Sequence, residues 1–431
     1  MDKFFDICII GAGASGLAAA LEASNENSEA RILLLEKNNI LGKKIRATGN
    51  GRCNISNTHA QKSEETLALL RKWGVVTRTY PTGLIYPYSE SAADVTNLLT
   101  EQVENSSVEV WTGTTVTDIQ RVTSKNDPLS DNNAESLEPS NGYIILGSRD
   151  SSEKSSAKIR IHASYVIVST GGKSGPQYGT IGEGYKFLRN LGHKVKSTIP
   201  ILTPIDCKGD SCSDISGIRA KGIVHLYRKS QEGWKTVFTE EGEIQFTSYG
   251  LSGICVFNMT RCMRYSKEER MAVFRIGVDL CPDIDIEKLI LEQQEIARAQ
   301  GYALPLKFLL TSLFKEKLAR YILRRVNIEE TRTIVDITPS EVTALSACIH
   351  NLTFAPTGIH GWKEAQCTSG GVFLEELDSE TGESRICSGL YVVGELQDYD
   401  GPCGGYNLNN AFLTGAAAGT DASRRVRESK H

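Results

Sequence analysis

The sequence lacks most of the signals that would place a chain in a specialised class. Its 11 cysteines form no CxxC pair and no regular framework, and 431 residues are enough to bury a core without disulfide staples. A reduced, cytoplasmic protein is therefore expected. Charge of one sign is not in excess, since 48 Lys and Arg face 52 Asp and Glu for a net charge of −4. That balance provides no broad attraction toward nucleic acid or anionic lipid, and neither is expected as a partner. HExxH and Cys/His ligand spacings are missing, so no metal site is expected. Residues 7–21, ICIIGAGASGLAAAL, resemble the core of a signal peptide, but Asp2 and Asp6 precede them in place of a basic region. No other stretch approaches the roughly 18 apolar residues of a membrane span. There are no internal repeats.

Several ordered patterns remain. Residues 4–10 are a short run of strand formers, 14–23 read as a helix and 31–35 as a second strand. Strand, glycine turn, helix and strand in that order make a βαβ unit, which requires a parallel sheet. Residues 92–102 read as a helix. Strand-like runs at 107–111, 114–121, 142–146 and 158–162 suggest a small antiparallel sheet, and YVIVST at 165–170 a separate buried strand. Ser, Asn, Asp, Glu and Pro dominate 123–141, which reads as an exposed excursion of a hairpin. From about 199 to 332 the text changes to mixed strands and helical segments such as 286–299 and 306–325. The α/β style returns at Gly389 with LYVVGE and a small-residue helix. A middle unlike both ends points to an insertion: residues 1–195 and 346–431 form one α/β domain of Rossmann type, and 196–345 form the inserted domain.

The chemistry concentrates in glycine clusters. Gly11, Gly13 and Gly16 make a GxGxxG directly after the first strand, and Glu36 lies twenty residues past the last glycine. In that register the pattern is a dinucleotide fingerprint: the backbone approaches a pyrophosphate, the helix N-terminus supplies N–H groups, and the acid accepts ribose hydroxyl protons. An acid at this position suits FAD or NAD better than NADP. Three further clusters, at 42–54, 170–184 and 394–407, favour FAD, because its ribityl and flavin parts need more backbone surface than one nucleotide cradle offers. Glu395 is placed to take ribityl hydroxyls. Gly404 and Gly405 precede a helix beginning near Asn407 or Leu408, whose amides are placed to face the flavin N1 and C2 carbonyl.

These motifs carry a family resemblance that runs from one end of the chain to the other. GAGASGLAAA, GKKIRATGNGRCNISN, GLIYPYSESAADV, TGGKSGPQYGTIGEGY, FTSYGLSG, TSGGV and GLYVVGELQDYDGPCGGYNLNNAFLTGAAAG resemble the flavoproteins called YhiN-like, BaiN-like or aminoacetone-oxidase-like. The resemblance implies an FAD-binding domain built from both chain ends, interrupted by a β-barrel-like and helical insertion. It implies FAD contacts at Gly11, Gly13, Ala14, Ser15 and Gly16, at Glu36, Lys37 and Lys44, and at Gly49, Gly51, Arg52, Cys53 and Asn54. Further contacts would be Thr170, Gly171, Gly172, Gly394, Glu395, Gly405, Tyr406, Asn407 and Leu408, with a backbone contact to adenine near Val116. The chain departs from the family at LSGIC (251–255) and ETGESRICSG (380–389), which bears on the substrate more than on the cofactor.

Cys53 and Cys403 both fall in loops of this set, but neither has the close partner of a dithiol flavoenzyme. The one CxxxxC, Cys207 and Cys212, lies in the insertion. His193 reads as a helix-end residue, and the basic segment 315–325 as a solvated helix face. No catalytic acid or base is identifiable. The functional expectation is an FAD-dependent oxidoreductase exchanging a hydride between flavin N5 and a small organic substrate. Two directions stay open: amine oxidation, and reduction of an unsaturated, steroid-like compound. No second fingerprint is present, so NAD(P)H would act only as a transient donor. A non-catalytic flavin-binding redox sensor or interaction module is the main alternative, and flavin-dependent RNA modification a further one.

Overall fold

The computed structural model describes residues 3–123, 141–150, 156–208, 212–265, 271–302 and 304–430. The expected polar excursion at 123–141 falls, apart from its two ends, outside the described residues. The chain divides into two compact units, Met1–Ile199 with Cys367–His431, and Pro200–Gln366.

The first unit is organised by a seven-stranded sheet. From one edge its strands run Val108–Trp111, Ile32–Leu35, Lys3–Ile10, Ser156–Val168, Asn141–Asp150 and Thr114–Thr123, with Leu390–Val392 also pairing to Ser156–Val168. The first four are parallel neighbours, as the βαβ reading requires. Side chains alternate between two cores, as a sheet covered on both faces dictates. Ile7, Ile9, Ile32 and Leu34 face one, and Cys8, Ile10, Leu33 and Leu35 the other.

Two runs expected to be separate, 158–162 and 165–170, form one strand, Ser156–Val168. Its first half pairs antiparallel with Asn141–Asp150 up to Ala163 opposite Tyr143. Its second half pairs parallel with Leu390–Val392 from Val166. The expected small antiparallel sheet is thus continuous with the parallel one, because a single strand serves both ladders, but the run 107–111 expected in it lies instead at the opposite edge, parallel to Ile32–Leu35.

The C-terminal helix Tyr406–Ser429 lies against the helix Ala14–Glu26 through small residues. A Cβ on Gly415 would sit 2.1 Å from the Ser15 carbonyl oxygen, and one on Gly419 2.2 Å from that of Ala19. Glycine is required at both positions because the two backbones touch.

The second unit is built on a seven-stranded sheet in the order Leu352–Phe354, Phe274–Asp279, Arg219–Ser230, Gly233–Phe246, Gly250–Ser252, Ile205–Cys207 and Pro356–Ile359. Every pairing in it is antiparallel. Its two edge strands are consecutive in the chain with only Ala355 between them, so the sheet has to curl round on itself, which is the barrel-like form expected. Helices Ile286–Gln300, Leu306–Leu313, Glu316–Arg325 and Pro339–His350 share its core. The single helix expected over 306–325 is broken at Phe314, whose extended backbone seats its ring in that core. Among the described residues no helix is long and apolar enough to cross a membrane.

Candidate functional site

The four glycine clusters, far apart in sequence, converge within the first unit. The fingerprint turn is held by the Gly11 N–H donating to the Leu35 carbonyl at 2.8 Å and by the Ser169 hydroxyl donating to Gly11 O at 2.7 Å. A Cβ on Gly16 would lie 1.8 Å from Gly11 O, so the turn closes only around glycine. Gly13 differs: a Cβ there meets nothing within 4 Å, so its face opens on free space. The helix Ala14–Glu26 starts at this opening with no side-chain cap. Its first N–H groups have no partner within the helix, and the positive end of its dipole faces outward.

Glu36 closes the adjacent end of the sheet. One carboxylate oxygen accepts from the Ala12 N–H at 2.9 Å, and the other from the Asn38 N–H at 2.8 Å and its amide at 2.7 Å. The Glu36 carbonyl accepts from the Thr114 N–H at 2.9 Å, which puts the acid beside the strand carrying Val116. A bulge interrupts that strand between Val116 and Asp118. Lys37 turns away from Glu36, pairing with Glu183 at 2.6 Å and the Gly179 carbonyl at 3.1 Å. Burial pushes the Glu183 carboxyl up, but the hydrogen bonds from Lys37 and the Ile181 N–H hold it below its ordinary 4.5.

The second, third and fourth clusters meet at Glu395. Its carboxylate pairs with Lys44 Nζ at 2.6 Å and accepts from the Thr368 N–H at 2.8 Å. A Cβ on Gly172 would lie 2.7 Å from the same carboxylate, and one on Gly394 2.8 Å from the Ser15 hydroxyl. Beside Gly171 and Gly172, the Thr170 hydroxyl is buried with no hydrogen-bond partner among the described residues. An orphaned buried hydroxyl is costly and marks a place where a ligand group completes the network.

The GRCN loop is mainly self-supporting. Gly49, Asn50, Gly51 and Cys53 all hold left-handed backbone. Cys53 is buried, and burial pushes its thiol up to about 11. The Asn54 amide donates to the Ile85 and Ser56 carbonyls, both at 3.1 Å. Arg52 lies over the Tyr86 ring at 5.0 Å and 3.7 Å from Glu90, with its side chain half exposed. The second helix N-terminus begins at Tyr406 after Gly405, again without a side-chain cap. Asn407 clamps Gly401 through both its amide atoms, at 2.8 and 2.9 Å. Leu408 packs on the neighbouring core.

Sequence reasoning overlooked Thr368 as a hub. Its hydroxyl accepts from the Lys173 and Ser174 N–H groups at 2.8 and 3.1 Å, joining the third cluster to the fourth. The TSGGV motif containing it was the available signal. Asn409 was also unforeseen: it accepts from the Ser56 hydroxyl at 2.7 Å and donates to the Gln61 carbonyl at 2.8 Å, which ties the C-terminal helix to the GRCN loop. His193 bonds Glu376 at 2.9 Å and Ser384 at 2.8 Å through its two ring nitrogens, a buried tie as its helix-end position suggested.

Two uncapped helix N-termini, open space over Gly13, a buried orphan hydroxyl and a paired acid and lysine fit a long dinucleotide with a pyrophosphate at one helix and a second polar group at the other. Similarity to known proteins agrees. A profile of the HI0933-like protein Rossmann domain matches residues 5–64 and 147–421. The chain is 30% identical to the 3-dehydro-bile acid delta(4,6)-reductase of Clostridium scindens, over 97% of this chain and 99% of that protein. It is 25% identical to the ribosomal RNA dihydrouridine synthase of Escherichia coli, over 97% and 98%. With the ribosomal RNA dihydrouridine synthase of Haemophilus influenzae it shares 24%, over 99% and 100%. With the profile spanning both ends of the chain and these relatives matching it throughout, the chain belongs to the HI0933-like family and is an FAD-dependent oxidoreductase.

Proposed function

We propose that this oxidoreductase reduces a carbon–carbon double bond conjugated to a carbonyl in a planar, steroid-like substrate, with NAD(P)H as its transient electron donor. The observation that carries this reading is the end-to-end 30% identity to a bile acid delta(4,6)-reductase. Bound FAD would supply a hydride carrier at its N5 position. The chain's part is to hold and orient. Gly11, Gly13, Ala14, Ser15 and Gly16 would receive the pyrophosphate at the open helix end, Glu36 the adenosine ribose, and backbone near Val116 the adenine. Lys44, Glu395 and residues 170–172 would line the ribityl stretch. There the 2.6 Å contact with Lys44 balances the charge of the Glu395 carboxylate. The N-terminus of the helix Tyr406–Ser429 would offer a positive dipole end to the flavin and favour negative charge there.

A second reading has its own support in the two relatives named as ribosomal RNA dihydrouridine synthases. Their reaction saturates a uracil double bond conjugated to a carbonyl, so both readings share one chemistry and differ in what presents the double bond.

Anaerobic mixing separates them. NADH or NADPH should bleach the flavin, and a 3-oxo-4,6-diene steroid should then restore its colour and emerge heavier by one hydrogen molecule. Recolouring by oxygen alone would defeat the proposal in favour of oxidase chemistry. Dihydrouridine appearing in ribosomal RNA without steroid turnover would establish the second reading instead.

A further inference from the structure

The second unit holds a cavity that the flavin reading does not use. Its volume is about 750 Å³, and it opens at the seam of the curled sheet, where the edge strands Leu352–Phe354 and Pro356–Ile359 meet the start of Phe274–Asp279. The mouth of a barrel-like sheet is a common place for a ligand, and this volume lies within the roughly 300–1,000 Å³ of small-molecule sites. Its floor is apolar, with Phe274, Phe354 and Met271 buried. Among the described residues three cations line it, Lys208, Arg275 and Arg325, and no carboxylate does. Among the described residues none of the three is in an ion pair.

The cations are positioned for an anion. Arg275 lies over the Trp234 ring at 4.5 Å, a cation–π contact that restricts its side chain. Arg325 ends the helix Glu316–Arg325 and donates to the Thr353 carbonyl at 3.3 Å and hydroxyl at 3.4 Å, which fixes its direction. Its helical neighbours are spent elsewhere: Arg320 pairs with Glu316 and Glu330, and Arg324 with Asp214. Lys208 is anchored by its backbone N–H on the Ala355 carbonyl at 2.8 Å. Three cations exceed what one carboxylate can use, whereas a phosphate offers three oxygens and up to two charges. The part-exposed Trp234 and the apolar floor suit a planar ring.

We propose that this cavity binds a nucleoside phosphate, with the phosphate on Arg275, Arg325 and Lys208 and the base against Trp234 and the Phe274 floor. The inference rests on the second unit alone and does not depend on the substrate of the flavin. The phosphate would come from a free nucleotide or from the phosphodiester of a single-stranded RNA.

The test uses FAD-loaded protein, so that an adenylate is not drawn into an empty flavin site. Inorganic phosphate, ADP, cholate and a single-stranded RNA of roughly 12 nucleotides are titrated. Tryptophan fluorescence and equilibrium dialysis follow binding. ADP or the RNA should bind saturably, and Arg275→Ala and Arg325→Ala should each weaken binding about tenfold. Trp234→Ala should weaken ADP by a larger factor than inorganic phosphate, because it removes the base contact as well as the support under Arg275. Equal affinity for ADP and RNA identifies a free nucleotide; much tighter RNA binding that falls steeply with salt identifies the phosphodiester. Flavin occupancy and melting temperature verify folding, and Arg275→Lys, which keeps charge but loses the fork, serves if an alanine variant fails. Absence of saturable binding by ADP and RNA, binding unchanged in the arginine variants, or displacement of ADP by cholate at equal affinity would each overturn the proposal.

Discussion

Cys53 shows how a reactive-looking residue is read at its own scale. In sequence it is a lone thiol among glycines in a loop expected to touch the cofactor. In the structure it has no exposed surface, and its N–H donates to the Thr48 carbonyl at 3.0 Å. Burial pushes its thiol from an ordinary 9.0 to about 11, against a smaller lowering by Thr48, and burial does the same to Cys255. A neutral thiol in the fold means that the unfolded chain ionises first. The stabilisation is complete below about pH 9 and is lost as pH climbs toward 11, by about 2 kcal/mol for Cys53 alone. Urea midpoints measured across that window should fall, and Cys53→Ser should flatten the slope. A midpoint independent of pH would contradict the burial argument. The sequence shows that no second cysteine lies close to Cys53 along the chain; its burial was not legible there, because it depends on which side chains close over the loop.

At the scale of elements, the same residue type does opposite work at two helices. Gly13 has φ −77°, which any residue can adopt, and open space over its missing side chain. Gly415 faces the Ser15 carbonyl at a distance no Cβ tolerates. Gly13→Ala should leave unfolding of the flavin-free protein within about 0.5 kcal/mol and weaken FAD at least about tenfold. Gly415→Ala should destabilise by about 2 kcal/mol in spite of alanine's advantage of about 1 kcal/mol in a helix, because the helices must separate. Paired measurements of FAD affinity and denaturant stability check both, and full FAD affinity in Gly13→Ala would remove the pyrophosphate from that opening. The fingerprint and its helix were legible from glycine spacing and apolar runs, which are local. The length of Ser156–Val168 was not, because parallel ladders with the distant strands Lys3–Ile10 and Leu390–Val392 carry the strand on past its hairpin, across what reads as a break.

For the whole molecule, the first unit is α/β with a mixed sheet and the second is a curled antiparallel sheet with helices. The second unit has its own core. The Gln366 N–H donates to the Leu202 carbonyl at 3.3 Å, so the chain enters and leaves that unit at adjacent points. Replacing residues 200–366 with a short Gly/Ser linker should therefore leave a protein that melts cooperatively and keeps a bound-flavin spectrum. A colourless or insoluble product would show that the first unit needs the second to form its site.

The sequence by itself determined the βαβ start, the dinucleotide fingerprint with its acid, and the presence of three further glycine clusters, since each is a local pattern of residue type and spacing. Only the tertiary structure decided that those clusters meet, that Lys44 neutralises Glu395 across the chain at 2.6 Å, and that Thr368 and Asn409 stitch the segments together. Such pairings join residues hundreds of positions apart. They are set by packing of the two cores on either face of one sheet, which no local spacing encodes.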